Sequence, residues 1–193
     1  MSNKLKKIGV LTSGGDAPGM NAAVRAVVRS AVYNNIDCFG IYKGFEGLII
    51  DDFVKLNARG VNNIVNKGGT ILKSARSLEF RTKEGRKKAK TNLDKYEIDS
   101  LVVIGGNGSL TGAMLLEEEH GIKTIGIPGT IDNDLVGTRC TLGYDTALNT
   151  AVNAIDKIRD TASSHNRLFF IEVMGKGSCL LYTSDAADDT PCV

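Results

Sequence analysis

The sequence has no long apolar run, no excess of charge of one sign and no paired cysteine spacing. Each absence removes a class of protein. Of 193 residues, 24 are Lys or Arg and 22 are Asp or Glu, for a formal net charge of +2. That balance gives no bulk attraction to nucleic acid or to an anionic membrane surface. No stretch reaches the ~20 apolar residues of a membrane-spanning helix. The short basic start, residues 1–7, leads directly into a strand without the apolar region of a signal peptide. Cys38, Cys140, Cys179 and Cys192 lack metal-ligand or disulfide-frame spacing and read as reduced thiols of a cytosolic protein. The cationic run 81–90 has no interleaved aromatic residue for base stacking. It therefore reads as the exposed face of a surface helix and not as a nucleic-acid patch. There is no internal repeat and no low-complexity linker.

What is present is a core-forming hydrophobic fraction, 42%, in an alternating βα pattern. Short apolar runs at 8–12, 38–42, 101–104, 124–127 and 168–173 read as strands. Residues 20–33, 82–95, 110–120 and 146–161 read as helices, and 61–66 as a short helix. The Gly-punctuated stretch 44–50 reads as a turn with a short extended piece. The continuous apolar run Leu101-Val102-Val103-Ile104 suits a central strand of a parallel sheet. Strands alternating with helices predict a doubly wound α/β sheet with helices on both faces.

Three strand ends share one chemistry. The first strand runs into Thr12-Ser13-Gly14-Gly15-Asp16, where glycines allow close backbone approach and the next helix offers free N–H groups, an anion site. This is neither a P-loop nor the G-x-G-x-x-G dinucleotide pattern. The strand at 101–104 runs into Gly105-Gly106-Asn107-Gly108-Ser109, along which a phosphate chain can lie, with Ser109 placed to cap the helix. The strand at 124–127 runs into Pro128-Gly129-Thr130-Ile131-Asp132-Asn133-Asp134. Two carboxylates one residue apart and a hydroxyl at such an edge can hold a hydrated Mg²⁺ or take a proton from a substrate hydroxyl. Ligands of open α/β sheets bind outside the carboxyl ends of strands. The three loops together point to one cleft for phosphate and metal, and to phosphoryl transfer.

These motifs, together with Ala17-Pro18-Gly19-Met20-Asn21, Gly68-Gly69-Thr70, Ser74-Ala75-Arg76, residues 154–161 and Glu172-Val173-Met174-Gly175, are collinear with one family from about Lys6 to Lys176. The chain resembles the N-terminal part of the ATP-dependent 6-phosphofructokinases. The resemblance implies a mostly parallel, Rossmann-like sheet, truncated before completion. It divides the chain into an incomplete nucleotide-binding domain, 1–142, the start of a sugar-phosphate domain, 143–176, and a non-native tail, 177–193. It implies phosphoryl transfer from ATP to the 1-hydroxyl of fructose 6-phosphate with Mg²⁺, in a cytoplasmic homotetramer. Asp132 is then the general base, Thr130 holds the sugar 1-position and the transferring phosphate, and Asp134 supports the charged centre. Gly15 and Arg76 contact the ATP phosphates, Arg76 also stabilising the transition state. Phe45, Ser77, Gly106, Asn107, Gly108 and Ser109 stand at nucleotide positions. Ile131, Arg167, Met174 and Gly175 join Thr130 and Asp132 at the sugar site, Arg167 by reaching into a neighbouring subunit. Asn107, Asp132 and Asp134 are the metal positions. Arg25, Arg29 and Arg159 match contacts of an effector nucleotide between subunits, and Arg59 lies beside Ala58, which replaces an effector Arg.

Gly108 and Gly129 stand where pyrophosphate-dependent relatives place Asp and Lys, which favours ATP as donor. Two alternatives remain open: a pyrophosphate-dependent kinase, and a nucleotide-binding module without catalysis. The motif resemblance stops after Lys176, and the segment Leu180-Leu181-Tyr182-Thr183-Ser184-Asp185 has the character of a translated sequencing adapter. The chain is therefore expected to be an N-terminal fragment that is inactive alone. Asn107 replaces an Asp of the family, keeping an oxygen acceptor but losing charge. Asn107→Asp in the full-length protein is expected to tighten the Mg²⁺ dependence of activity, and an unchanged Mg²⁺ titration would remove this position from the metal site.

Overall fold

In the computed structural model, which describes residues 6–165 and 167–174, six strands form one sheet of order β3-β2-β1-β4-β5-β6. They are β1 (Lys7–Ser13), β2 (Asp37–Ile41), β3 (Phe53–Leu56), β4 (Ser100–Gly105), β5 (Lys123–Thr130) and β6 (Leu142–Gly143). β1 pairs in parallel with both β2 and β4, β4 with β5, and β5 with β6. Only the β2–β3 pair is antiparallel. The helices are α1 (Met20–Tyr33), α2 (Phe45–Ile50), α3 (Lys83–Lys95), α4 (Asn107–His120) and α5 (Tyr144–His165).

β1 and β4 are apolar without alternation because both faces of the sheet are covered there, whereas β5 is open on one face, with Ile125 exposed. Ile8, Val10, Val102 and Ile104 project into one core with Val24 and Val28 of α1 and with Val61, Ile64 and Leu72. Leu11, Leu101 and Val103 project into the other, with Phe45 and Leu48 of α2, Leu93 of α3 and Leu116 of α4. Cys38 lies in the first core, where burial pushes its thiol up to about 12, so it is an inert thiol. Among the described residues no helix is long and apolar enough to cross a membrane.

Four local expectations are corrected. Of residues 44–50, Phe45–Ile50 form a helix and not a turn, and the extended piece follows as β3. Gly47 is there because α2 lies directly on β2's exit: a Cβ at Gly47 would sit 1.8 Å from the Tyr42 carbonyl oxygen. Residues 61–66 form consecutive turns in place of a helix. The buried pair Val61 and Ile64 mimics helical spacing, but Asn57 Oδ1 accepts from the N–H groups of Arg59 and Gly60 at 3.0 and 2.9 Å and diverts the backbone into turns. Residues 168–173 form no strand, having no neighbouring strand among the described residues to pair with, and Phe170 stands 90% exposed. Finally, α4 begins at Asn107 and not near Leu110. Its capping residue is Gly106, and Ser109 makes no cap but is buried in the first turn.

The cationic run 81–90 also differs from a uniformly exposed face, because Arg86 is only 6% exposed. Its Nε and Nη2 donate to the two carboxylate oxygens of Glu119 at 2.6 and 2.8 Å, and its Nη1 donates to the carbonyls of Phe80 and Arg81 at 3.1 and 2.8 Å. This two-pronged pair ties α3 to α4 and holds the 3₁₀ turn Glu79–Arg81 in place. Hydrogen bonding to Arg86 holds the Glu119 carboxyl below its ordinary range and raises the guanidinium further. A carboxylate depressed in the fold contributes stability above its unfolded pKa and loses it as pH falls through the folded one. Glu119→Gln is therefore expected to lower the Tm at neutral pH, with the deficit shrinking as pH drops below the ordinary carboxylate range. Melting curves across that range check it, and a deficit independent of pH would contradict it.

Candidate functional site

The carboxyl ends of β1 and β4 meet closely because a glycine stands where a side chain would collide with backbone. A Cβ on Gly105 would lie 2.4 Å from the Ser13 carbonyl oxygen and 2.9 Å from the Ser109 side chain. With hydrogen there instead, the loop after β1 and the first turn of α4 lie together. Gly106 offers no side-chain cap, and the N–H groups of Asn107 and Gly108 have no intrahelical acceptor. The positive end of a 14-residue helix therefore opens onto the strand ends.

A second set of bonds brings in Arg76. Asn21, 2% exposed on α1, donates through Nδ2 to the Lys67 carbonyl at 2.9 Å and accepts at Oδ1 from the Ile71 N–H at 2.8 Å. The Thr12 hydroxyl gives its one proton to the Lys73 carbonyl at 2.9 Å. The Thr70 hydroxyl, 2.9 Å from it, is then the donor to Thr12. Lys43 N–H donates to the Leu72 carbonyl at 2.8 Å, and the Ser74 hydroxyl donates to the Gly14 carbonyl. The loop 67–74 is thus laid across the end of β1 and delivers Ala75, Arg76 and Ser77 to the cleft.

That cleft, about 500 Å³, is lined by every residue expected at the nucleotide positions: Gly15, Phe45, Arg76, Ser77, Gly106, Asn107, Gly108 and Ser109. Thr130, Asp132 and Asp134 line it as well. Phe45 stacks on Phe80 with centroids 4.0 Å apart, so one face of its ring is occupied by protein. Thr130, Ile131, Asp132 and Met174 share an adjoining depression with Gly15, Asp16 and Glu172. Arg167 lines neither, and Gly175 and the tail 177–193 lie outside the described residues. Leu78 and Arg81 border the cleft and were not anticipated. Arg81 sits in the cationic run, where only the fold distinguishes a cleft residue from a surface one.

Among the described residues no three His, Cys, Asp or Glu side chains gather around a metal position. Asp132, Asp134 and Asn107 share the cleft. Two carboxylates and an amide fit Mg²⁺ that takes most of its ligands from water and phosphate oxygens. The four candidate effector arginines lie away from the cleft. Arg25 and Arg29 are on α1, Arg59 is in an exposed turn after β3, and Arg159 on α5 pairs with Asp156 at 3.3 Å.

The chain is similar to known proteins over most of its length. The family "Phosphofructokinase" matches residues 7–186, beyond Lys176, where the motif resemblance stops. The chain is 57% identical over 182 residues to the ATP-dependent 6-phosphofructokinase 2 of Bacteroides thetaiotaomicron, covering 94% of this chain and 56% of the relative. It is 60% identical over 172 residues to the ATP-dependent 6-phosphofructokinase of Cytophaga hutchinsonii, covering 89% and 52%. The solved phosphofructokinase of Saccharomyces cerevisiae superposes with a TM-score of 0.83 at 43% identity, over 89% of this chain and 26% of that one. The chain spans about half the length of the curated relatives it matches.

The glycine contacts yield a paired prediction. Gly105→Ala is expected to cost about 1–3 kcal/mol or more, since the clash is with backbone, and to weaken binding of a fluorescent ATP analogue. Gly108→Ala, whose Cβ meets nothing within 4 Å, is expected to keep the Tm. Equal melting temperatures for Gly105→Ala and the unsubstituted chain would contradict the close approach.

Proposed function

Since this chain belongs to the phosphofructokinase family, we propose that it supplies the nucleotide cleft and the base of an ATP-dependent 6-phosphofructokinase. The observation that carries the reading is the convergence of three strand-end loops, with Arg76, Thr130, Asp132 and Asp134, on one cleft. Phosphoryl transfer needs little from a protein beyond positioning, charge neutralisation and a base for the acceptor hydroxyl.

Asp132 takes the proton of the fructose 6-phosphate 1-hydroxyl as that oxygen bonds to the γ-phosphorus. The bond from the γ-phosphorus to the β–γ bridging oxygen breaks, and its electrons leave with ADP. Arg76 and the N–H groups at the start of α4 offset the charge on the phosphate oxygens. Thr130 contributes a hydroxyl donor, because its Oγ1 already accepts from the Asp132 N–H at 3.2 Å and its own proton remains for a ligand. Asp132, Asp134 and Asn107 are the residues that would hold Mg²⁺, which neutralises phosphate charge when bound. Ile131 and Met174 border the sugar side, with Gly175 next in sequence. Residues 1–142 form the nucleotide part and 143–176 the start of the sugar-phosphate part.

ATP is favoured over pyrophosphate by the open space at Gly108, where a side chain would enter the cleft. Arg167 acts across a subunit boundary in a cytoplasmic homotetramer. Arg25, Arg29, Arg59 and Arg159 form an effector site away from the cleft.

In a coupled assay, the full-length protein is expected to turn over with ATP and fructose 6-phosphate and not with pyrophosphate. Asp132→Asn should lower kcat by about 10²–10⁴. Turnover with neither donor would sink the enzyme reading in favour of a binding module.

A further inference from the structure

Two residues that line neither the cleft nor the adjoining depression fix the loop carrying Thr130 and Asp132. After β5 the chain turns, loops out and returns as β6, which pairs Gly129 with Leu142 and Thr130 with Gly143. Thr141, immediately before β6, is 3% exposed. Its hydroxyl donates to the Thr130 carbonyl at 2.7 Å, and its N–H donates to Asn133 Oδ1 at 2.9 Å. The bonds from Thr141 therefore bracket Ile131 and Asp132 on both sides. Asn133 has φ 51°, in the left-handed region that Asn tolerates better than most residues. Its Nδ2 donates to the Arg139 carbonyl at 3.4 Å, tying in the far side of the loop.

The bracket has a firm seat. Gly143 has φ 98°, and a Cβ there would lie 2.7 Å from the Pro18 carbonyl oxygen. β6 is thus pressed against the loop after β1. Thr141 links β5 and the turn 131–133, and Gly143 two residues on seats β6 against the loop after β1.

We propose that Thr141 and Asn133 are positioning residues for the aspartate base, holding the Asp132 carboxylate and the Thr130 hydroxyl in register with the nucleotide cleft. They act through Thr130 and Asp132 and not on the substrate. This rests on the phosphoryl-transfer reading above. A misplacement of about 1 Å at a reacting group costs on the order of 100-fold in rate, so a loop closed by two side chains serves catalysis where a freely moving one would not.

Three variants separate positioning from general structural support. Thr141→Val removes the hydroxyl at similar volume, Thr141→Ser keeps it, and Asn133→Gly keeps the left-handed backbone while removing the acceptor. In the full-length protein, Thr141→Val and Asn133→Gly are expected to lower kcat by about 10- to 100-fold, with KM for ATP held within about twofold. Thr141→Ser is expected to retain most of the activity. Amide exchange at residues 131–133 should quicken in the first two variants while that of β1 and β4 is unchanged. Unchanged kcat and exchange in Thr141→Val, in a protein that turns over, would overturn the positioning role alone. A rise in KM for ATP matching the loss of kcat would also overturn it, since that marks collapse of the whole cleft. An unsubstituted protein that fails to turn over would overturn the phosphoryl-transfer reading and this inference with it.

Discussion

Backbone packs on backbone where β1 and β4 end, and the site depends on that contact. The Gly105 Cα approaches the Ser13 carbonyl so closely that a methyl group would lie 2.4 Å from the oxygen. Three consequences follow. The first turn of α4 lies beside the loop after β1. Ser109 is buried between them. The unpaired N–H groups of Asn107 and Gly108 open toward the same space as Gly14 and Gly15. A cleft built this way is pre-organised for a phosphate chain, because its backbone donors are fixed in place.

Side chains with no direct ligand role complete the cleft by placing other loops. Asn21 and Thr12, both buried, pin the stretch that delivers Arg76. The Arg86–Glu119 pair holds the turn whose Phe80 stacks under Phe45 and whose Arg81 borders the cleft. Thr141 and Asn133 hold the aspartate turn. Thr130 ends β5, and the charged groups expected to act on substrate stand on loops that hydrogen bonds tie to a strand or a long helix.

Much of this was legible in the sequence, for identifiable reasons. β1 and β4 are buried on both faces and read as unbroken apolar runs. α1 carries a regular apolar stripe. The glycines at 105, 106 and 108 and the acids at 132 and 134 stand directly after strands, so their convergence follows from the rule that parallel strands share a carboxyl edge. Other features were hidden because their cause is a distant contact. Gly47 reads as a turn former until the Tyr42 carbonyl is placed against it. Val61 and Ile64 have helical spacing but are set by a side-chain cap from Asn57. Arg86 is one cation among several until Glu119, 33 residues away, meets it. Residues 168–173 have strand composition, yet a strand exists only where a neighbour pairs with it.

The central claim is that three loops from three strands form a single nucleotide cleft. Hydrogen exchange of the chain with and without ATP tests it most directly. The account predicts that amides of residues 14–16, 107–109 and 130–134 slow together and with one ATP affinity. Protection confined to one of these loops, or located elsewhere on the molecule, would contradict it.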